Sequence, residues 1–366
     1  MRKVYLEDIC DIKIGRTPPR RQPQWFSSSH GMKWVSIKDM GNTGKYIGQT
    51  SELLTMDAVS KFNIPIIPEG TLLMSFKLTV GRLGFTKYDM CSNEAIAQLP
   101  IKDVNVADKD YLYYYLSNFN FDSLSSTSSI ATAVNSKTVK NIPIDLPPLD
   151  QQKKIADILS SLDEKIELNR RMNETLDQLG QTLFRHYFVD NPERSSWGKR
   201  SLGEFFPIKT GKKDANFGTN DGKFPFFTCA QTVSHAPSYS FDGSAILVAG
   251  NGDFNIKYYT GKFEAYQRTY VLMPYNEELL GFLYFLMKKD LSLITGGSRG
   301  SVIKFITKGM IKNYKSLLPN DRELGIIAPI FNELLTSMSH NKEQIQTLTT
   351  LRDSLLPKLI SGEIEI

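Results

Sequence analysis

After Pro147-Pro148, apolar residues recur three or four apart, with one step of six, at Ile155, Ile158, Leu162, Ile166, Met172, Leu176, Leu179 and Leu183, with Asp, Glu and Lys between them. This spacing predicts an amphipathic helix with one stripe to cover. Asp150 is placed to cap it and Asn191-Pro192 lies just beyond its end, giving roughly 38 residues, or about 57 Å at 1.5 Å per residue. A second stretch, from near Asp321 to Leu356 with Pro357 and Gly362 after it, repeats the pattern. The copies align without a gap at an offset of 172, matching Lys140 with Lys312, Pro147 with Pro319, Ala156 with Ala328 and Leu162 with Leu334. Helices this long seldom stand alone, and a whole domain lies between them, so the pattern predicts an antiparallel coiled coil. Its seam reads Ile155, Leu162, Asn169, Leu176 and Leu183 on one helix and Ile327, Leu334, Asn341, Leu348 and Leu355 on the other. Asn169 and Asn341 fall near the helix midpoints. A buried pair there costs stability but fixes register and orientation.

Between the helical stretches the period changes. In the first body, β-branched and aromatic runs at 34–37, 71–76 and 95–99 alternate with glycine-rich turns, and a short helix is expected over Asp108–Asn118. The second body echoes it with runs at 224–228, 244–249 and 268–273 and a helix over Glu277–Lys289. Their openings also match, Leu6…Ile12-Lys13-Ile14-Gly15 against Leu202…Ile208-Lys209-Thr210-Gly211, but at an offset of 196. The helices were therefore kept while the bodies diverged. The expected architecture is mixed α/β, or α+β: two globular domains at 1–148 and 191–319, a central long helix at 149–190, and a distal long helix with its tail at 320–366. Such a pseudo-two-fold repeat suits a target or partner that presents two related surfaces.

Charge sharpens that division. The net charge of +5 separates into +3 for residues 1–148, −2 for 149–190, +7 for 191–319 and −3 for 320–366. A polyanion would be drawn to the bodies and not to the helices. No apolar run is long enough to span a bilayer, Glu7 and Asp8 interrupt any leader pattern, and Cys10, Cys91 and Cys229 form no C-x-x-C pair. These features point to a cytoplasmic protein with no membrane partner.

Catalytic groupings do not emerge. Gly250-Asn251-Gly252 is a lone G-x-G without a third glycine, and there is no P-loop. Asp145-Leu146-Pro147-Pro148 has the wrong spacing for an adenine methyltransferase motif and reads better as a helix lead-in. His30, His186, His235 and His340 are scattered and pair with no cysteine at metal spacing. Neither a catalytic nor a metal site is expected.

Binding residues are easier to nominate. The loop after Gly15 holds Arg16, Arg20, Arg21, Gln24 and Trp25, and the loop after Gly211 holds Lys212, Lys213, Asn216 and Asn220. Arg grips guanine edges, Asn and Gln suit adenine, and Lys neutralises phosphates. Two further loops precede the long helices: Ser125–Ser129 with Asn135 and Lys137, and Gly296–Gly300, including Arg299, with Lys304. Lys77, Arg82 and Lys257, with Tyr258 and Tyr259, complete the set.

The Leu-Pro-Pro-Leu-x-x-Gln-x-x-Ile run at 146–155, its degenerate repeat at 318–327, the order of the whole chain, and Leu-Leu-Pro-Lys-Leu-Ile-Ser-Gly-Glu-Ile at 355–364 together resemble the specificity subunits of type I restriction–modification systems. The second copy departs from the first, with Asn320-Asp321-Arg322-Glu323 where Pro148-Leu149-Asp150-Gln151 stands. The resemblance implies that each body is a target recognition domain for half of a bipartite site on double-stranded DNA. It implies that the coiled coil spaces the domains and docks two modification (methyltransferase) subunits, which restriction (translocase–nuclease) subunits join. The chain itself would be non-catalytic and bind no cofactor, with S-adenosylmethionine, ATP and Mg²⁺ belonging to the partners. An autonomous methyltransferase or nuclease, and an adaptor that never touches DNA, are the competing readings.

Overall fold

The computed structural model describes residues 2–41, 44–124, 135–296 and 304–366, and they form two compact units. The first comprises Met1–Leu168 with Ile345–Ile366, and the second Asn169–Gln344. Each unit therefore contains one body and a segment of both long helices.

In the first body the strands are β1 (Arg2–Tyr5), β2 (Lys13–Ile14), β3 (Phe26–Ser27), β4 (Met32–Val35), β5 (Tyr46–Ile47), β6 (Glu52–Leu54), β7 (Leu72–Ser75), β8 (Leu83–Thr86), β9 (Cys91–Ser92), β10 (Ile96–Leu99) and β11 (Pro143–Leu146). Its helices are α1 (Leu6–Ile9), α2 (Ile37–Met40), α3 (Met56–Lys61), α4 (Lys109–Ser117) and α5 (Ser136–Lys140). Among the described residues the central sheet runs β2-β10-β7-β8-β5, a second sheet runs β3-β6-β4-β9, and β1 pairs with β11. The run at 34–37 is only half strand. Ser36 accepts a hydrogen bond from the Asp39 backbone, and that cap starts α2 at Ile37. Asp108 and Asn118 bound α4 as N-cap and C-cap.

The long helix α6 (Leu149–Phe184) follows and ends in one π-turn at Arg185–Val189. Asp150 lies inside its first turn rather than outside as a cap.

The second body contains β12 (Gly198–Ser201), β13 (Ile208–Thr210), β14 (Phe224–Phe227), β15 (Ser234–Ala236), β16 (Phe241–Ala249), β17 (Ile256–Ala265), β18 (Thr269–Leu272) and β19 (Lys315–Leu318). With them are α7 (Leu280–Lys289), α8 (Leu291–Thr295) and α9 (Lys308–Asn313), and then the second long helix, α10 (Asp321–Ser361). Its sheet runs β13-β18-β16-β17-β14-β15, and β12 pairs with β19. The β1–β11 and β12–β19 pairs are counterparts. Each ties a body's entry to its exit just before a long helix begins.

Asn320 caps α10 through its side chain to the Glu323 N–H at 3.0 Å, so this helix does start differently from α6. It also runs further than the sequence pattern predicts, through Pro357 to Ser361, where Gly362 takes a left-handed φ of +78°. An interior proline forfeits a backbone bond and costs about 3 kcal/mol. Burial of Leu359 and Ile360 in the first unit's core offsets that loss.

The helix segments pair antiparallel within each unit. In the first, Ile155, Ala156 and Leu159 share a core with Leu359 and Ile360, and Arg352 meets Asp163 at 2.7 Å. In the second, Phe184 packs on Phe331 at 5.9 Å between ring centroids. The repeat is visible in burial: Gln152 and Leu324, Ala156 and Ala328, Leu159 and Phe331, Ile166 and Met338, and Asn169 and Asn341 are all buried.

The bodies are fastened to these segments differently. In the first unit the Lys45 side chain, 9% exposed, reaches Asp110 at 2.8 Å and the hydroxyl of Ser160 on α6 at 2.9 Å. Tyr114 donates to Asp163 at 2.6 Å. In the second unit Phe184 and Phe188 pack against Phe282 of α7 and Phe331 of α10, and Gly180 lies against the ring of Phe285.

Candidate nucleic-acid interface

Strand direction sets which loops can meet. In the first unit β2 and β7 run towards the end of the sheet at which β10 and β8 begin, because Ile14 pairs with Ala97, Ser75 with Ile96 and Met74 with Leu83, all antiparallel. The loop after Gly15 and the β7–β8 turn therefore leave from the same end. Gly15 is required there: a Cβ would lie 2.2 Å from the Ser92 carbonyl oxygen. That close approach lets the Arg16 N–H donate to the same carbonyl at 2.9 Å.

The cations gathered at this end are not equivalent. Arg20 stacks on Phe26 and Trp34, each 4.6 Å from its ring centroid, and pairs with Glu52 at 2.8 Å. Arg16 donates to the Phe62 carbonyl at 3.2 Å but stays exposed. Arg21 and Gln24 are exposed, and Arg21 has no ionic partner among the described residues. Lys77 is exposed on the β7–β8 turn. Arg82, in contrast, donates to the Ile37 carbonyl at 2.8 Å and braces α2. Lys137 lies elsewhere: its helix α5 packs on α1, which precedes β2 and so sits at the sheet's other end.

The second unit repeats this arrangement. Ile208 pairs with Leu272 and Ile246 with Leu272, so β13 and β16 end where β18 begins. Gly211 again permits close approach, since a Cβ would lie 2.0 Å from the Ala265 carbonyl oxygen. Lys212 is exposed. Lys213 lies 4.4 Å from the centroid of Phe217, and Asn216 is exposed on the turn at Ala215–Phe217. Lys257 is spent internally, donating to the Ala230 carbonyl at 2.7 Å and to Asn255. Burial lowers its pKa, outweighing an opposing influence of Cys229. Lys304 is exposed, and its carbonyl accepts from Gly252 at 3.0 Å. Arg299 and the loop 297–303 lie outside the described residues, as does the serine-rich loop at 125–129.

The sequence reading missed Arg268. Its side chain is exposed, and its carbonyl accepts from Gly250 at 2.8 Å. It helps line an open cleft of about 330 Å³ with Thr210, Gly250, Gln267, Tyr270 and Phe305. Its position one residue before β18 was the available signal. A chemistry of cations and an exposed aromatic ring at a strand end can hold phosphates and contact bases.

The seam residues are all buried or half-buried: Ile155, Leu162, Asn169, Leu176 and Leu183 on α6, and Ile327, Leu334, Asn341, Leu348 and Leu355 on α10. The two asparagines do not pair with each other, which corrects the expected register. Asn169 donates to Gln344 at 3.0 Å, and Asn341 donates to Asn173, one helical turn along α6, also at 3.0 Å. The buried amides are satisfied all the same.

Two further amides bond to backbone groups of the bodies: Gln152, the glutamine of the 146–155 run, whose partners no motif shows, and Asn332, which the sequence reading missed. Gln152 accepts from the Asp108 N–H at 2.9 Å and donates to the Val106 and Pro147 carbonyls at 3.0 and 2.8 Å. Asn332 accepts from the Gly281 N–H at 2.6 Å and donates to the Glu278 carbonyl at 2.6 Å. Each fixes the start of a body helix, α4 or α7, against a long helix.

Comparison with known proteins bears on what this arrangement is for. The model of the type I restriction modification DNA specificity domain matches twice, over residues 1–178 and 194–350. The chain belongs to that family. Within it, the chain is 23% identical to the MjaIX specificity subunit of Methanocaldococcus jannaschii, over 99% of this chain and 93% of that protein. It is 45% identical to the EcoDI specificity subunit of Escherichia coli over 172 residues, which is 46% of this chain but only 38% of that protein. The fold is that of a type I S subunit from M. genitalium, with a TM-score of 0.63, 19% identity, and coverage of 98% of this chain and 95% of that one. Among the described residues, this specificity-family chain has no group of three or more His, Cys, Asp or Glu side chains placed to hold a metal. No helix among them is long and apolar enough to cross a membrane.

Proposed function

We propose that the chain is the DNA sequence-specificity subunit of a type I restriction–modification complex, with each body reading one half of a bipartite duplex target. One observation carries this: in both units the cation-bearing loops leave from the same end of the central sheet, next to a glycine that permits close backbone approach. Such a cluster suits phosphate contacts that position the duplex and side chains that read base edges. The bodies at 1–148 and 191–319 are the target recognition domains in this reading.

The long helices set the half-site spacing and dock two modification subunits. Leu168, Met172, Leu179, Ile326 and Leu351 support docking, since all are more than two-fifths exposed on the long helices. The chain performs no chemistry itself. Adenine methylation with S-adenosylmethionine, and ATP- and Mg²⁺-dependent translocation and cleavage, belong to the modification and restriction subunits.

Footprinting of the assembled complex tests the reading. Two protected patches separated by an unprotected spacer are expected. An adaptor that never touches DNA gives no protection, and an autonomous enzyme turns over S-adenosylmethionine or cuts DNA as the purified chain alone. Deleting one heptad from both long helices shortens them by about 10 Å, which at about 3.4 Å per base pair removes roughly three base pairs of spacer. An unchanged spacer refutes the ruler.

A further inference from the structure

The β7–β8 turn carries a feature that phosphate binding does not explain. Leu78 at its tip is 96% exposed, and its φ is +62°, a left-handed conformation that favours glycine. The turn is nonetheless held firmly. Ser75 donates through its hydroxyl to the Thr79 carbonyl at 2.5 Å and accepts from the Arg82 N–H at 3.0 Å. The Gly81 N–H donates to the Ser75 carbonyl at 2.9 Å, and Gly81 itself takes a φ of +86° against the ring of Phe121. A braced loop therefore presents an apolar side chain that no described residue covers.

The equivalent turn in the second unit, between β16 and β17, solves the same geometry without cost. Its left-handed residue is Gly252, with φ +72°. Phe254, its apolar residue, is half-buried against that unit's core. The second turn thus reaches its left-handed position with glycine, whereas the first places an exposed leucine at one of its two, beside Gly81.

Charge around the tip selects its occupant. Lys77 adjoins the tip, and the exposed Arg16 opens the loop, with exposed Arg21 further along it, that leaves from the same end of the sheet. A polyanion whose backbone meets these cations brings its interior to the tip, and a nucleic-acid duplex, the target proposed above, offers stacked apolar base faces behind its phosphate rail. We infer that Leu78 is a wedge that enters a base step of the DNA half-site bound by the first unit. This rests on the DNA-reading function proposed above and deepens it. Inserted apolar wedges partly unstack a step and kink the duplex, and pyrimidine–purine steps yield most easily. The wedge therefore adds preference for such a step without any hydrogen bond to a base.

The test uses the full-length chain and a duplex that it selects from a random-sequence pool, with 2-aminopurine placed in turn at each adenine. Wild type and Leu78→Met raise fluorescence several-fold at one step in the first half-site. Leu78→Gly, which accepts the left-handed turn, and Leu78→Ala return that step to the free-duplex level and bind about 10- to 100-fold more weakly, as loss of a buried leucine contact implies. Unchanged footprinting of the second half-site by these variants shows that they are folded. A wild-type complex with every step stacked, or a Leu78→Gly complex that keeps the signal, overturns the wedge while leaving DNA reading intact. A wild-type chain that selects no sequence removes the reading and the wedge together.

Discussion

The two units reach the same end by opposite means. The first fastens its body to the long helices with a polar network, in which Lys45 meets Asp110 and Ser160 while Tyr114 and Arg352 share Asp163. The second uses aromatic packing of Phe184 and Phe188 on Phe282 and Phe331, with one ion pair, Lys288–Asp177 at 2.5 Å, beside it. Duplication preserved the helices, but the contacts made on them diverged with the bodies. A polar network is directional and sensitive to acid, whereas an aromatic cluster depends on volume. The two halves of one repeat should therefore fail under different insults.

The sharpest break is Phe331→Ala, which removes a buried ring from the centre of the aromatic cluster. It should cost about 3–5 kcal/mol, read by hydrogen exchange as lost protection in the second unit with the first unchanged. Lys45→Ala should do the reverse. Asp110 keeps Lys109 at 2.7 Å but loses its second lysine, and Ser160 loses that lysine's hydrogen bond. The loss should be about 1–3 kcal/mol, with protection falling in α4 and its neighbours only. Equal losses in both units from either substitution would contradict the division. Asn332→Ala, which removes the acceptor of the Gly281 N–H and the amide donor to the Glu277 and Glu278 carbonyls, should cost about 1–3 kcal/mol and loosen the start of α7 alone.

Acid should separate the units more gently. Burial pushes the Asp110 carboxyl upward, but hydrogen bonds from Lys109 and Lys45 outweigh it and hold the pKa below the ordinary value of 3.8. A lowered folded-state pKa means that the unfolded chain takes up its proton first as pH falls. The stabilisation is thus present above about pH 4 and lost as pH drops through the lowered value. Hydrogen exchange below pH 4, corrected for the intrinsic rate, should find the first unit weakening ahead of the second, and Lys45→Met, which leaves only Lys109 on Asp110, should shrink the difference.

The large-scale plan was legible in the sequence. The period of apolar positions gave α6 and α10, and the offset of 172 anticipated which positions both helices bury. The strand runs placed β7, β10, β16 and β18 closely. What stayed hidden depended on three-dimensional partners. Pro357 reads as a stop, yet the burial of Leu359 and Ile360 carries the helix past it. The seam asparagines were found, but not the one-turn displacement that gives them Gln344 and Asn173. Among the cations, composition could not tell the exposed Arg21 from Arg20, stacked and paired, or from Lys257 and Arg82, consumed by backbone carbonyls. Arg268 and Leu78 belong to no motif, and only strand direction places them with the rest.

The central claim is that each unit reads its own half-site. The direct measurement is selection of duplexes from a random pool by the assembled full-length protein carrying Arg21→Ala or Arg268→Ala. The account predicts two half-sites separated by a fixed spacer, with Arg21→Ala weakening or relaxing only one, about tenfold for the loss of a base contact, and Arg268→Ala only the other. A single continuous site, or both half-sites changing with either substitution, would contradict it.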